Sequence, residues 1–162
     1  MSLRIEAAQL RHAKIVAQSM RARDFEEVMA GWGRPDIAII DAIEASPCYS
    51  RTAFWELEPV AIFGMRSLTV LGGSAEVWCF GTAAIDRHRL AFLRASRLVV
   101  ADMLTRAAIL TNYVDITDYD ALRWLAWVGA RSALPPQSRG GKLFAQFFIS
   151  KPMVGEQTCQ LG

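Results

Sequence analysis

Apolar and polar positions along this chain switch repeatedly between a period of two and a period between three and four, which predicts strands alternating with helices. Residues 3–7 form a short alternating segment suited to an edge strand. Leu10, Ala13, Val16, Ala17 and Met20 then make a helical stripe, with Arg11, Lys14 and Gln18 on the opposite side. In Asp24-Phe25-Glu26-Glu27 an Asp and a Glu stand three residues apart, as in a capping box, and Phe25, Val28, Met29 and Trp32 share one face of the helix that follows. Gly31 and Gly33 end that run, and Pro35 suits the first turn of a third helix carrying Ile39, Ile40 and Ile43 before Ser46-Pro47 stops it.

Residues 51–56 and 59–65 read as a hairpin joined at Leu57-Glu58, and Gly72-Gly73 as a turn. The apolar run 75–80 predicts a strand buried on both faces, broken by Gly81-Thr82 and followed by one long helix over about 86–105. Residues 110–116 form another strand, ending in a polar turn where Thr117 or Asp118 can cap the next helix by accepting an orphan backbone N–H. Leu122, Leu125 and Ala126 predict the buried side of that helix, and Gly129 a left-handed C-terminal stop. LPPQSRGG, within 133–141, reads as a loop, and 142–149 as a closing strand with bulk on both faces from Leu143, Phe144, Phe147 and Phe148. Residues 1–150 are thus expected to form one domain and 151–162 a C-terminal tail.

Composition narrows the picture. The chain has 162 residues, 52% of them hydrophobic, and a mean hydropathy of +0.20, which is high for a water-facing domain and points to a protein partner or self-assembly. No uninterrupted apolar run is long enough to span a membrane, and the charge-studded N-terminus lacks a signal-peptide core, so a cytoplasmic protein is expected. A net charge of +2 gives no nucleic-acid signal. Cys48, Cys79 and Cys159 are odd in number and widely spaced, which predicts structural thiols. With only His12 and His88 as histidines, no zinc site is expected.

Residues 110–130, LTNYVDITDYDALRWLAWVGA, resemble the second half of a GNAT-type N-acetyltransferase domain, where a strand leads into a helix of the form N-x-x-A-[IL]-x-L-Y-x-x-x-G-F. The matching positions are Asp118, Ala121, Leu122, Trp124, Leu125, Gly129 and Ala130. WELEPVAIFG resembles the two central strands of that family. The resemblance implies an α/β (α+β) fold: a mixed, mostly antiparallel central sheet with helices on both faces. More closely, the chain resembles the small GNAT-like proteins of tailed bacteriophages, some of them internal virion proteins of podoviruses.

Two family features depart here. The family loop that wraps the cofactor pyrophosphate reads [QR]-x-x-G-x-[GA], because close phosphate approach needs bare backbone. Placing Arg87 first puts Leu90 and Phe92 on the small positions, and placing Arg89 first puts Phe92 and Arg94 there. The family Tyr that protonates the leaving thiolate falls on Leu125, with Tyr119 one and a half turns too early.

The resemblance therefore implies two functions. One is a non-catalytic virion or assembly protein without a cofactor, located in the virion and in the host cytoplasm during assembly, and docking onto other virion proteins or copies of itself. Trp124 and Trp127 are its candidate partner anchors. The alternative is an acetyl-CoA-dependent N-acyltransferase with Arg87, Arg89 and Arg94 at the phosphates and Glu76 (or Glu56 or Glu58) as base. Those arginines equally suit a solvated helix face. Asn112, an amide in an apolar strand, must find partners in neighbouring backbone or face a pocket between splayed strands.

Overall fold

The computed structural model describes residues 3–71 and 73–152. In chain order the elements are β1 (Arg4–Ala7), α1 (Leu10–Gln18), α2 (Ala22–Gly31), α3 (Pro35–Glu44), β2 (Ser50–Trp55), β3 (Glu58–Ser67) and β4 (Ser74–Gly81), then α4 (Ala84–Arg87), α5 (Arg89–Met103), β5 (Ile109–Asp115), α6 (Tyr119–Trp127), β6 (Gln137–Arg139) and β7 (Lys142–Ser150). The strands form one sheet in the order β1-β2-β3-β4-β5-β7-β6. Every adjacent pair is antiparallel except β4 and β5, which are parallel because the intervening helical crossover returns the chain to the same end of the sheet. The fold is the mixed, mostly antiparallel α/β architecture that the pattern and the resemblance imply.

One face of the sheet buries Ala61, Phe63, Ala75, Leu110 and Phe147 against Ile85 of α4, Met103 of α5 and Leu125 of α6. On the other, Ile62 meets Ala13 and Val16 of α1 and Ile39 of α3, with Trp78 and Phe80 alongside. Gly64 makes the second face possible. A Cβ there would stand 2.6 Å from Trp78 Cζ2 and 2.6 Å from Tyr49 O. Bare backbone lets the Trp78 indole cross β3 and donate Nε1–H to Ser46 Oγ at 2.8 Å.

The β5–α6 unit forms as its local chemistry requires. Asp118 is the N-cap, its Oδ1 accepting from Ala121 N–H at 3.0 Å, while the Thr117 hydroxyl donates to Asp115 instead. Gly129, at φ 90°, takes the left-handed stop that a side chain would disfavour. Leu125 and Val128 face inward, but Ala126 is exposed.

Several expectations change. Met20 lies past the end of α1, in a lone bridge with Thr82, though it still packs against the core that holds Ala13 and Val16. The N-cap of α2 is Arg21 without a side-chain cap, so Asp24 and Glu27 are not a capping box. The hairpin turns at Glu56-Leu57, with Glu56 at φ 55°. The single helix expected over 86–105 is two, broken at His88, whose ring stacks on Trp55 at 4.2 Å. β4 is only half-buried, with Cys79 exposed, because it loses a neighbour halfway along. Part of the expected loop 133–141 is β6, turned into β7 by Gly140 and Gly141 at positive φ. Gly72 of the expected turn, Cys159, and residues 153–162 of the expected tail lie outside the described residues. No described helix is long and apolar enough to cross a membrane, and no described cluster of His, Cys, Asp or Glu suits a metal.

Candidate active site

β4 and β5 pair at Ser74–Ile109, Ala75–Leu110 and Glu76–Thr111, then part. The reason lies in the alternating hydrogen-bond directions of each strand. Even-numbered residues of β4 bond toward β3: Leu68 N–H donates to Ser74 O, and just past the strand Thr82 N–H donates to Val60 O. Odd-numbered positions face β5, as Ile109 N–H donating to Gly73 O confirms. The rung after Glu76–Thr111 would join Tyr113 N–H to Val77 O. Instead the Asn112 carboxamide stands between them, Oδ1 accepting from Tyr113 N–H at 2.8 Å and Nδ2 donating to Val77 O at 2.6 Å. Beyond it, the N–H and C=O of Cys79 face the gap and have no partner among the described residues. Water reaches the Cys79 side chain, yet the protein crowding it, with Asp24 adding to the effect, pushes its thiol pKa up, so it stays protonated at neutral pH.

The start of α2 bridges the mouth of this cleft. Asp24 Oδ2 accepts from Gly81 N–H at 2.7 Å, and Arg21 N–H donates to Gly81 O at 3.0 Å. The Arg21 guanidinium holds the same Asp24 carboxylate at 3.0 Å. On the β5 side, Arg23 pairs with Asp118 at 3.2 Å and donates to Thr117 Oγ1 at 3.1 Å. About 250 Å³ of water-accessible space lies here, lined by Arg21, Arg23, Asp86, Asp118 and Asp120. Glu27, three residues on from Asp24, reaches solvent and does not line that space, but it sits in the same acidic field. Crowding by protein first, then the charges of Asp24, Asp118 and Asp115, raise its pKa against a lesser pull from Lys142. It is therefore a better proton acceptor than an ordinary surface carboxylate. Sequence reading missed Asp24 and Glu27 as site residues because their spacing also fits a helix cap.

The residues singled out from the sequence are dispersed. Glu76 lies at the last paired rung, with its carboxylate held by Arg66 at 3.0 Å. Tyr119 is 71% exposed at the start of α6 and does not line the cavity. Arg87 is paired with Glu58, which His88 Nε2 also approaches at 3.4 Å. Arg89 and Arg94 are exposed and have no ion-pair partner among the described residues. Leu90 is 70% exposed on the first turn of α5, whereas Phe92 turns inward and stacks on Trp124 at 6.0 Å. Of the two bulky groups at the family's small positions, only Leu90 therefore stands at the helix opening. Leu125 is buried and supplies no proton donor. Trp124 donates to Ser96 Oγ, so it is an internal strut. Trp127 is partly exposed, with Arg97 stacked 3.6 Å from its ring centre and its Nε1–H donating to Leu93 O.

No family model and no curated protein matches the chain. Solved structures do. A ribosomal-protein alanine N-acetyltransferase from Escherichia coli superimposes with a TM-score of 0.66 at 15% identity, over 96% of this chain and 97% of that one. An acetyltransferase of the GNAT family from Streptococcus pneumoniae gives 0.63 at 12%, over 92% and 99%. An aminoglycoside acetyltransferase in complex with coenzyme A gives 0.65 at 9%, over 93% and 95%. The chain has the GNAT fold.

An acyl-coenzyme A is the group this fold implies, and the residues present fit it in the cleft. The unpartnered main-chain edge at Cys79 suits an amide-bearing chain. The first-turn amides of α5, at Arg89, Leu90 and Ala91, lie at the positive end of that helix. Arg87 and the Gly81 N–H are already committed, to Glu58 and Asp24.

Proposed function

We propose that the protein is an acyl-coenzyme-A-dependent N-acyltransferase whose acceptor is a cationic amine. The observation that carries this reading is the parting of parallel β4 and β5 around an open main-chain edge, at the strand ends where open α/β sheets bind ligands. When bound, acyl-coenzyme A supplies an activated acyl group as a thioester. The N–H and C=O of Cys79 hold its chain, and the α5 amides with Arg89 or Arg94 hold its phosphates. The carboxylates at the mouth draw in an ammonium group, and Glu27 takes its proton so that the amine becomes nucleophilic. Leu125 occupies the position that the family resemblance assigns to Tyr, so that position of α6 would offer the thiolate no proton and water would have to supply it.

The test is thermal unfolding with and without acetyl-CoA, followed by thiol release with small primary amines. At a hundred times its dissociation constant the ligand adds about 2.7 kcal/mol of stability, a shift of several degrees. Absence of any shift at millimolar ligand would sink the reading. A second reading, a non-catalytic assembly component of a phage particle, draws on Leu125, on the committed Gly81 N–H, and on the exposed side chains of Phe25, Met29 and Trp32 along α2. It expects no acetyl-CoA shift, together with presence of the chain in purified particles.

A further inference from the structure

We propose that Asn112 is a built-in wedge: its side chain, not the path of the backbone, holds β4 and β5 apart and sets the width of the cleft. An unbroken rung at this level would be one hydrogen bond of about 2.9 Å between Tyr113 N–H and Val77 O. The structure puts two bonds in series there, with the width of a carboxamide between them. Both ends of the amide are specified, since Tyr113 offers only a donor and Val77 only an acceptor. Asn is therefore the residue that can satisfy both strands while separating them. Asp offers no donor to Val77, and an apolar side chain offers nothing to either.

The effect propagates. With Tyr113 N–H turned to Asn112, Tyr113 O is displaced from Cys79 N–H, the donor it would meet at the following rung, so both groups are left open to the cleft. The Cys79 N–H is one of the main-chain groups that the acyltransferase reading uses. Asn112 then acts as a positioning residue: it touches neither ligand nor reacting atoms, and it keeps two main-chain groups unpaired until a ligand arrives. The wedge rests on that reading only for what the cleft holds, and its mechanical part is tested on the protein alone.

The experiment is residue-resolved amide exchange, by NMR, on the wild type, Asn112→Val and Asn112→Asp. Val lets the ladder close, so exchange of the Cys79 amide slows by about tenfold or more as it acquires the Tyr113 carbonyl. Asp keeps an acceptor for Tyr113 but repels the Val77 carbonyl, so Cys79 exchanges as fast as in the wild type. Asp also shows whether a loss of fold, rather than closure, underlies any change. In the ligand arm, Asn112→Val loses whatever acetyl-CoA shift the wild type shows. Unchanged Cys79 exchange in a folded Asn112→Val protein overturns the wedge. Closure in Asn112→Val without any wild-type acetyl-CoA shift leaves the wedge standing and removes the acyl-donor reading.

Discussion

At the scale of single residues, the chemistry concentrates on carboxylates whose neighbours change their behaviour. Glu27 binds its proton more tightly in the folded chain than in the unfolded one, so its contribution favours folding below about pH 4 and is lost as pH rises through its raised folded pKa. Glu27→Gln should therefore raise the urea midpoint at pH 7 and leave it near the wild-type value at pH 3.5. The same variant should lower acyl transfer by about a hundredfold or more with little change in acetyl-CoA binding. A variant that transfers normally would remove Glu27 from the site. Sequence reading found Asn112 because an amide in an apolar strand must be satisfied, but it could not find Glu27. Its pKa is raised first by the protein crowding it and by Asp24, then by Asp118 and Asp115, some ninety positions away along the chain, and none of that crowding is written in the local sequence.

Among elements, those governed by nearest neighbours were legible and those governed by distant contacts were not. The β5–α6 unit carries its own turn, cap and stop, so its outline follows from residues 110–130 alone. Asp118 has two duties there, capping α6 and pairing with Arg23 of α2. Asp118→Asn keeps the cap and drops the charge, and should cost at most a few tenths of a kcal/mol. Asp118→Ala loses both and should cost about 1 kcal/mol more, measured by urea unfolding. Equal losses would mean that the cap contributes nothing. The break between α4 and α5 follows from contacts of His88 with Trp55 and Glu58, some thirty residues upstream, and no periodicity within 84–103 announces it. The half-exposure of β4 was illegible for the same reason, since its run of apolar residues says nothing about where a neighbour departs.

For the whole molecule, one sheet from β1 to β6 with cores on both faces leads us to expect a single cooperative unit among the described residues up to Ser150. Far-ultraviolet circular dichroism and tryptophan emission should trace the same urea transition, and a separate early step would show that α2, which buries little beyond Val28, unfolds independently. The architecture was readable because alternating periods and one local motif suffice to name it. The position of the cleft was not, because strand pairing is a property of two segments that touch only after folding. The stack of Trp55 on His88 has a practical consequence of its own. It places a natural fluorophore beside the opening of α5, coupled through the imidazole to the backbone that would receive an anion. Occupancy of that opening is thereby converted into a change of light output, and the protein needs no attached dye to report it.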